Sequence, residues 1–363
     1  MKSMSRPGPA GGKSRRAFIQ NVGTAAAAST VAASVGVAQQ PRARGRAPEP
    51  WPQAGPLASQ PMPTMRLGKH TVGRLVRGTN RIGLHYSEPL RRTFAEWNTV
   101  EQEMLTFKRC EELGINLRVQ TRDEINEYNA KFGGKMLFSS QGSYMRTSDG
   151  KVIDPTKQIK EMAARGPIAI HYSAAGADEI WRRGEFNKVR EWCKIVRDTG
   201  CLVGVNGHLP EQFMKMEDEG WDVDFYEPFV YRYGRTHAEW EELFKFNPDL
   251  APLEVGQPPT EFNSPYYGGE IAWVRGDPPK MLEVIKKVKK PCIAFKLLAS
   301  GNLMANAQPK LQQQIVEARF KYILKNINST DGILAAMWNK YEDQYALNKE
   351  YVVKYGGLSI RAQ

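Results

Sequence analysis

The sequence predicts an α/β chain folded as a TIM (β/α)8 barrel, and three observations carry that expectation. Beyond Pro63, short apolar runs alternate with longer amphipathic segments, the pattern of parallel βα units. The alternation closes at eight strands and eight helices, the arithmetic of a closed barrel. No GxGxxG follows the first strand, because Gly73, Gly78 and Gly83 lack that spacing, and a GKS/GKT phosphate loop is absent, so an open dinucleotide-binding sheet has no support.

In chain order, residues 65–67 and 70–72 read as a hairpin under the barrel and 74–78 as the first core strand, followed by a loop carrying Asn80, His85 and Tyr86. A helix over 93–113 stops at Gly114, and 115–120 form the second strand. A short helix over 122–132 precedes the third strand at 135–139, and Asp154 caps a helix over 155–164 that opens with Pro155. Strand four spans 167–172. The helix after it, 185–198, sets Val189, Trp192, Cys193 and Val196 on one face and closes at Gly200. Strand five is 201–205, a helix starts at Pro210 and ends by Gly220, and strand six is 223–229. A long excursion over 230–274, rich in aromatics and prolines, interrupts the rhythm; loops of that length carry function or extra structure. The remaining units are a helix over 278–288 capped by Asp277, strand 292–297, helix 309–324, strand 332–337 and helix 341–352.

With 363 residues, 41% of them hydrophobic, the chain can bury a core without disulfide staples. Cys110, Cys193, Cys201 and Cys292 have no metal-ligand or paired spacing and read as core residues. The formal charge of +12 suggests nucleic acid, but residues 1–50 hold eight basic residues against Glu49, which leaves a net charge of only +5 for the rest of the chain. That is an ordinary solubility charge, and no nucleic-acid partner is expected.

Ahead of the barrel, a basic segment runs into a small-residue stretch over 17–38 that is too weakly apolar for a stable membrane span. Ser14-Arg15-Arg16-Ala17-Phe18-Ile19 resembles a twin-arginine export signal, which implies the twin-arginine machinery as a partner and a periplasmic or extracellular location. The expected organisation is a signal peptide at 1–39, a disordered leader at 40–62 and one barrel domain at 63–363.

Barrel chemistry sits at the C-terminal ends of the strands, so polar residues there are the site candidates. His171 ends an apolar run and suits proton donation or oxyanion stabilisation; a structural histidine bonded to backbone is the alternative. Lys296 lies inside an apolar strand and must pair with an acid, Glu227 or Asp224, or act in catalysis. Glu227 completes the catalytic set. Asn80, Tyr86, Gln120, Asn206, His208, Tyr226, Glu261, Trp338 and Asn339 are candidate substrate contacts, the aromatics among them suiting a sugar ring and Glu261 a closing lid. Asp222, Asp224 and Glu227 offer oxygens but no distinctive metal spacing, so no metal site is assigned.

Leu67-Gly68-Lys69 followed by Arg74-Leu75-Val76-Arg77-Gly78-Thr79-Asn80 resembles the opening of the aldo/keto reductases, and the similarity continues through Leu113-Gly114-Ile115-Asn116, His171 and Val203-Gly204-Val205-Asn206-Gly207, over residues 63–355. The resemblance implies a nicotinamide cofactor and an Asp, Tyr, Lys and His set, of which His171 matches the histidine. Leu117-Arg118-Val119-Gln120-Thr121 stands where the aspartate is expected, and Ser139-Ser140-Gln141 where the lysine is; Lys135 is at the other end of its strand. Tyr128 matches the tyrosine only with a loop insertion, Asn206-Gly207 replaces the pair that holds the nicotinamide amide, and Ala299-Ser300-Gly301-Asn302 loosely matches the phosphate segment.

The leading expectation is therefore an exported barrel enzyme performing acid/base chemistry, as a lyase, isomerase or hydrolase, on a carbonyl-bearing or carbohydrate-like small molecule. No cofactor is favoured. The alternatives are an oxidoreductase with tightly held NADP or flavin, and a barrel that binds without catalysis.

Overall fold

A computed structural model describes residues 53–78, 93, 95–119, 123–146, 150–232, 235, 276–304 and 309–360. Two antiparallel strands come first, β1 (Thr64–Leu67) and β2 (His70–Gly73), paired from Thr64↔Gly73 to Leu67↔His70. Eight parallel strands follow: β3 (Leu75–Arg77), β4 (Leu117–Arg118), β5 (Leu137–Gly142), β6 (Ala169–Tyr172), β7 (Leu202–Gly207), β8 (Phe225–Pro228), β9 (Ile293–Ala294) and β10 (Gly332–Ala335). Their order is β8-β7-β6-β5-β4-β3-β10-β9, and parallel bridges Tyr226↔Cys292 and Phe229↔Phe295 join the two ends. The sheet thus nearly closes on itself, and the fold is a TIM barrel.

Period-two alternation sorts each strand into an inward and an outward row. Val76, Leu117, Ala169, Phe225, Ile293 and Leu334 meet inside the barrel, and Met65, Leu67 and Val72 of the hairpin plug its base. Outward neighbours Leu75, Ile170, Tyr172, Val203, Tyr226 and Ile333 pack under the helices. Burying each large apolar side chain contributes about 1.5–3 kcal/mol, and the two layers share that gain around one continuous barrel wall.

Helices among the described residues include α1 (Val100–Glu112), α2 (Glu124–Phe132), α3 (Thr156–Ala163), α4 (Ala174–Arg182), α5 (Asn187–Arg197), α6 (Pro210–Asp218), α7 (Asp277–Lys287), α8 (Pro309–Lys325) and α9 (Gln344–Tyr355). Thr99 caps α1, and Gly114 beyond its end adopts φ 75°, a left-handed turn that an L side chain resists. Residues 93 and 95–97 are helical as the sequence predicts, but the helix is interrupted at 98–99, where Thr99 Oγ1 accepts from Gln102 N and starts α1. Strand β5 runs two to three residues later than expected, which brings Ser140 and Gln141 into the sheet. Helix α4 is unpredicted: Ser173 caps it by accepting from Gly176 N, 3.2 Å away, and β6 leads straight into it.

All four cysteines are buried and reduced, as expected of core residues. Among the described residues no helix is long and apolar enough to cross a membrane. The export segment, the leader before Gln53, and most of the 230–274 excursion lie outside the described residues.

Candidate active site

Strands β5 to β8 each turn polar side chains inward toward their C-terminal ends. Register fixes which ones. Gln141 of β5 is opposite His171 of β6, His171 is opposite Gly204 of β7, and Asn206 of β7 is opposite Glu227 of β8. Ser139 shares the inward row of β5, opposite Ala169. His171, Asn206 and Glu227 are each fully buried, and Ser139 nearly so.

The three central groups touch. Asn206 Nδ2 donates to Glu227 Oε2 at 3.3 Å, and His171 Nε2 lies 3.5 Å from the same oxygen. Gly204 makes this possible, since a Cβ there would come within 2.8 Å of His171 Cβ and would also strike the Phe225 ring. Burial pushes the Glu227 carboxyl up to about 8 and the His171 imidazole down to about 3. Near neutral pH Glu227 therefore carries a proton and His171 does not, the state of a poised acid beside a neutral imidazole.

Ser139 Oγ, both ring nitrogens of His171, Asn206 Oδ1 and Glu227 Oε1 have no protein hydrogen-bond partner. Each such buried atom costs about 1–3 kcal/mol, and native interiors keep few of them. Finding five on adjacent inward strands marks a polar chamber suited to a ligand rich in oxygen.

Just past the ends of β7 and β8, His208 and Phe229 have ring centroids 4.0 Å apart, and Phe295 lies 4.6 Å from Phe229. His208 Nδ1 is 2.7 Å from Asp178 Oδ2, and Gln212 Nε2 donates to Asp178 Oδ1 at 3.1 Å. Sequence reasoning missed Asp178 because it missed α4. The available signal was Ser173 ahead of an alanine-rich run, a helix start.

Lys296 is at the rim. Its Nζ donates to Ser300 Oγ at 2.8 Å and sits 5.2 Å from the Phe295 ring centroid. Lys296, Ala299 and Ser300 hold φ of 60°, 48° and 56°, left-handed values that L residues adopt at a cost of roughly 1–2 kcal/mol each. Such local strain is concentrated at functional loops. Burial lowers the Lys296 pKa to about 8.

Several expectations need correction. Among the described residues no ion pair joins Lys296 to Glu227, and Asp224 is bound at the opposite end of β8, by Arg197 Nη1 at 2.9 Å and Val203 N at 2.6 Å. Asp222 also pairs with Arg197, so the acids around β8 do not converge. Tyr226 is no substrate platform: it alternates with the inward Phe225 and Glu227, and its ring packs outward on Phe213 at 5.4 Å. Asn339 turns to α1, where Gln102 Nε2 lies 3.5 Å from its Oδ1. Trp338 stays at the rim, 5.5 Å from Tyr341, with Lys340 Nζ 5.9 Å from its ring. Asn80, Tyr86, Gln120 and Glu261 lie outside the described residues.

The residues also fail the nicotinamide-reductase arrangement that the resemblance implies. Tyr128 points into the outer layer and donates to Glu111 Oε2 at 2.6 Å, and Lys135 precedes β5 at the base of the barrel. The inward residues at the matching strand are Ser139 and Gln141. No hydride step is derived from this site.

No family model matches the chain, and no curated protein is similar to it. Solved structures similar to it include an N-acetylmannosamine-6-phosphate 2-epimerase from Clostridium perfringens, 12% identical, covering 77% of this chain and 91% of that one at a TM-score of 0.39. A lactate oxidase from Pediococcus acidilactici is 12% identical, with 85% and 80% covered and a TM-score of 0.41. A truncated 3-deoxy-D-arabino-heptulosonate 7-phosphate synthase from Thermotoga maritima is 11% identical, with 82% and 92% covered and a TM-score of 0.42.

Proposed function

We propose that the chain is a barrel enzyme that moves protons on a carbonyl-bearing or polyhydroxylated, carbohydrate-like small molecule. The observation that carries this reading is the row of buried polar atoms without protein partners on Ser139, His171, Asn206 and Glu227. A molecule with several hydroxyl or carbonyl oxygens supplies donors and acceptors to all of them, where an apolar ligand supplies none.

Within this reading each residue has a task. Glu227, protonated at neutral pH, delivers its proton to a substrate oxygen. Neutral His171 accepts a hydrogen bond from a substrate hydroxyl through a ring nitrogen. Asn206 holds Glu227 Oε2 and turns its own Oδ1 to substrate. Lys296 at the rim offers a positive charge for a developing or resident anion, and Ser300 fixes its Nζ. Elimination, isomerisation and hydrolysis all use such a set. The basic, alanine-rich segment at 14–38 supports export, and we place the reaction outside the cytoplasm on that basis.

The test is turnover of oxidised sugars and aldehydes by the intact protein and by His171→Ala and Glu227→Gln variants. Loss of about 10²-fold or more in Glu227→Gln is expected of a general acid. Undiminished turnover in both variants rejects the assignment.

A further inference from the structure

Glu227 supplies an acid, but proton transfer between carbon and oxygen also needs a base, and the Asp178, His208 and Gln212 cluster has the form of one. Three successive elements build it: α4 carries Asp178, the residue just past β7 is His208, and α6 carries Gln212. All three are buried, with His208 and Gln212 at 0% exposure and Asp178 at 1%. Gly207 leaves the space, since a Cβ there would lie 2.5 Å from Gln212 Oε1.

The chemistry of the contact fixes the tautomer. A carboxylate only accepts hydrogen bonds, so the His208 nitrogen facing Asp178 Oδ2 at 2.7 Å carries the ring proton. In the neutral ring the lone pair is then on Nε2, on the side away from α4. His208 directly follows Gly207, the last residue of β7, two positions beyond Asn206 at the C-terminal end of the strand. Phe229, two residues beyond Glu227 on β8, lies against its ring. Acid and base thus lie at the C-terminal ends of neighbouring strands, Glu227 within β8 and His208 just past β7.

We propose that His208 is the base and Asp178 its positioning residue, and that the reaction at this site is enolisation of an α-hydroxy carbonyl compound. The proposal rests on the reading of Glu227 as the acid. His208 Nε2 takes the proton from the carbon next to the carbonyl, and the C–H electron pair becomes the C=C bond of an enediol. The carbonyl oxygen takes the Glu227 proton as its π pair moves onto oxygen, leaving a carboxylate and an imidazolium. Return of one proton to carbon from His208 and of one from an enediol hydroxyl to Glu227 gives an isomer or epimer. No oxidant, reductant or net water is consumed. Asp178 balances the imidazolium, and Gln212 holds the second carboxylate oxygen.

Deuterium incorporation from D2O into dihydroxyacetone, D-erythrulose and D-fructose, followed by proton NMR, tests the proposal on the full chain. Wild type is expected to exchange at least one of these ketoses, with His208→Gln and Asp178→Asn each slower by about 10²-fold or more. Thermal unfolding verifies that each variant is folded. In protein labelled with 15N-histidine, the His208 resonances should report a protonated Nδ1 in wild type and in Glu227→Gln, and a changed tautomer balance in Asp178→Asn. A changed balance in Asp178→Asn alongside exchange at the wild-type rate would make the contact purely structural. Exchange at the wild-type rate in folded His208→Gln and Asp178→Asn, with loss only in Glu227→Gln, overturns the dyad and keeps the acid. Loss in the dyad variants with full exchange in Glu227→Gln keeps the dyad and overturns the acid. Absence of exchange by wild type on all three ketoses overturns the substrate class.

Discussion

Replacing Glu227 by glutamine should change how stability depends on pH, and the difference between the two proteins isolates this carboxyl. Its pKa rises from 4.5 in the unfolded chain to about 8 in the fold. Between those values the folded state holds a proton that the unfolded state has released, so stability falls as pH rises, by about 1.4 kcal/mol per pH unit. His171 acts in the opposite sense between about 3 and 6.5, where the unfolded ring binds the proton, so stability rises with pH and offsets Glu227 above pH 4.5. Lys296 enters only between about 8 and 10.5, again raising stability with pH. From pH 6.5 to 8 neither His171 nor Lys296 offsets Glu227, and its contribution over that interval comes to a loss of about 2 kcal/mol. Glutamine keeps the shape and has no proton to lose. Urea unfolding at pH 6.5 and pH 8 should show wild type losing about 2 kcal/mol more than Glu227→Gln. Parallel curves for the two proteins would refute a carboxyl kept neutral by burial.

Three further outcomes follow from the geometry. Gly204→Ala forces a methyl against His171 and Phe225, so it should destabilise by about 1–3 kcal/mol in urea unfolding and lower turnover through the displaced imidazole. Tyr226→Phe should leave turnover unchanged, because the ring faces the helices; its hydroxyl is buried without a protein partner, so removal should leave stability equal or raise it by up to about 1 kcal/mol. Ser173→Ala removes the cap of α4 and should cost about 1 kcal/mol, with slower ketose exchange if the frayed turn lets Asp178 drift from His208.

Sequence periodicity made the barrel legible because each βα unit repeats the same physical requirement, an apolar strand followed by an amphipathic helix. Polar residues at strand ends then pointed to His171, Asn206 and Glu227, which the inward row does bring together. What it hid was parity. Tyr226 and Glu227 are adjacent and equally suggestive in sequence, yet a strand sends them to opposite faces, and only the register shows which one enters the barrel. Asp178 was invisible for another reason: the helix that carries it is short and alanine-rich, and its partner His208 is 30 positions away. The Lys296 and Glu227 pairing failed because the left-handed turn at Lys296 breaks the alternation that would otherwise extend β9.

The most direct test of the whole account is a crystal structure of the Glu227→Gln protein soaked with a ketose such as D-erythrulose. The account predicts a sugar oxygen within hydrogen-bond distance of a His171 ring nitrogen and of Asn206 Oδ1 or Ser139 Oγ, with its carbon chain rising toward His208. A ketose bound elsewhere on the protein, with those atoms satisfied by water alone, would contradict it.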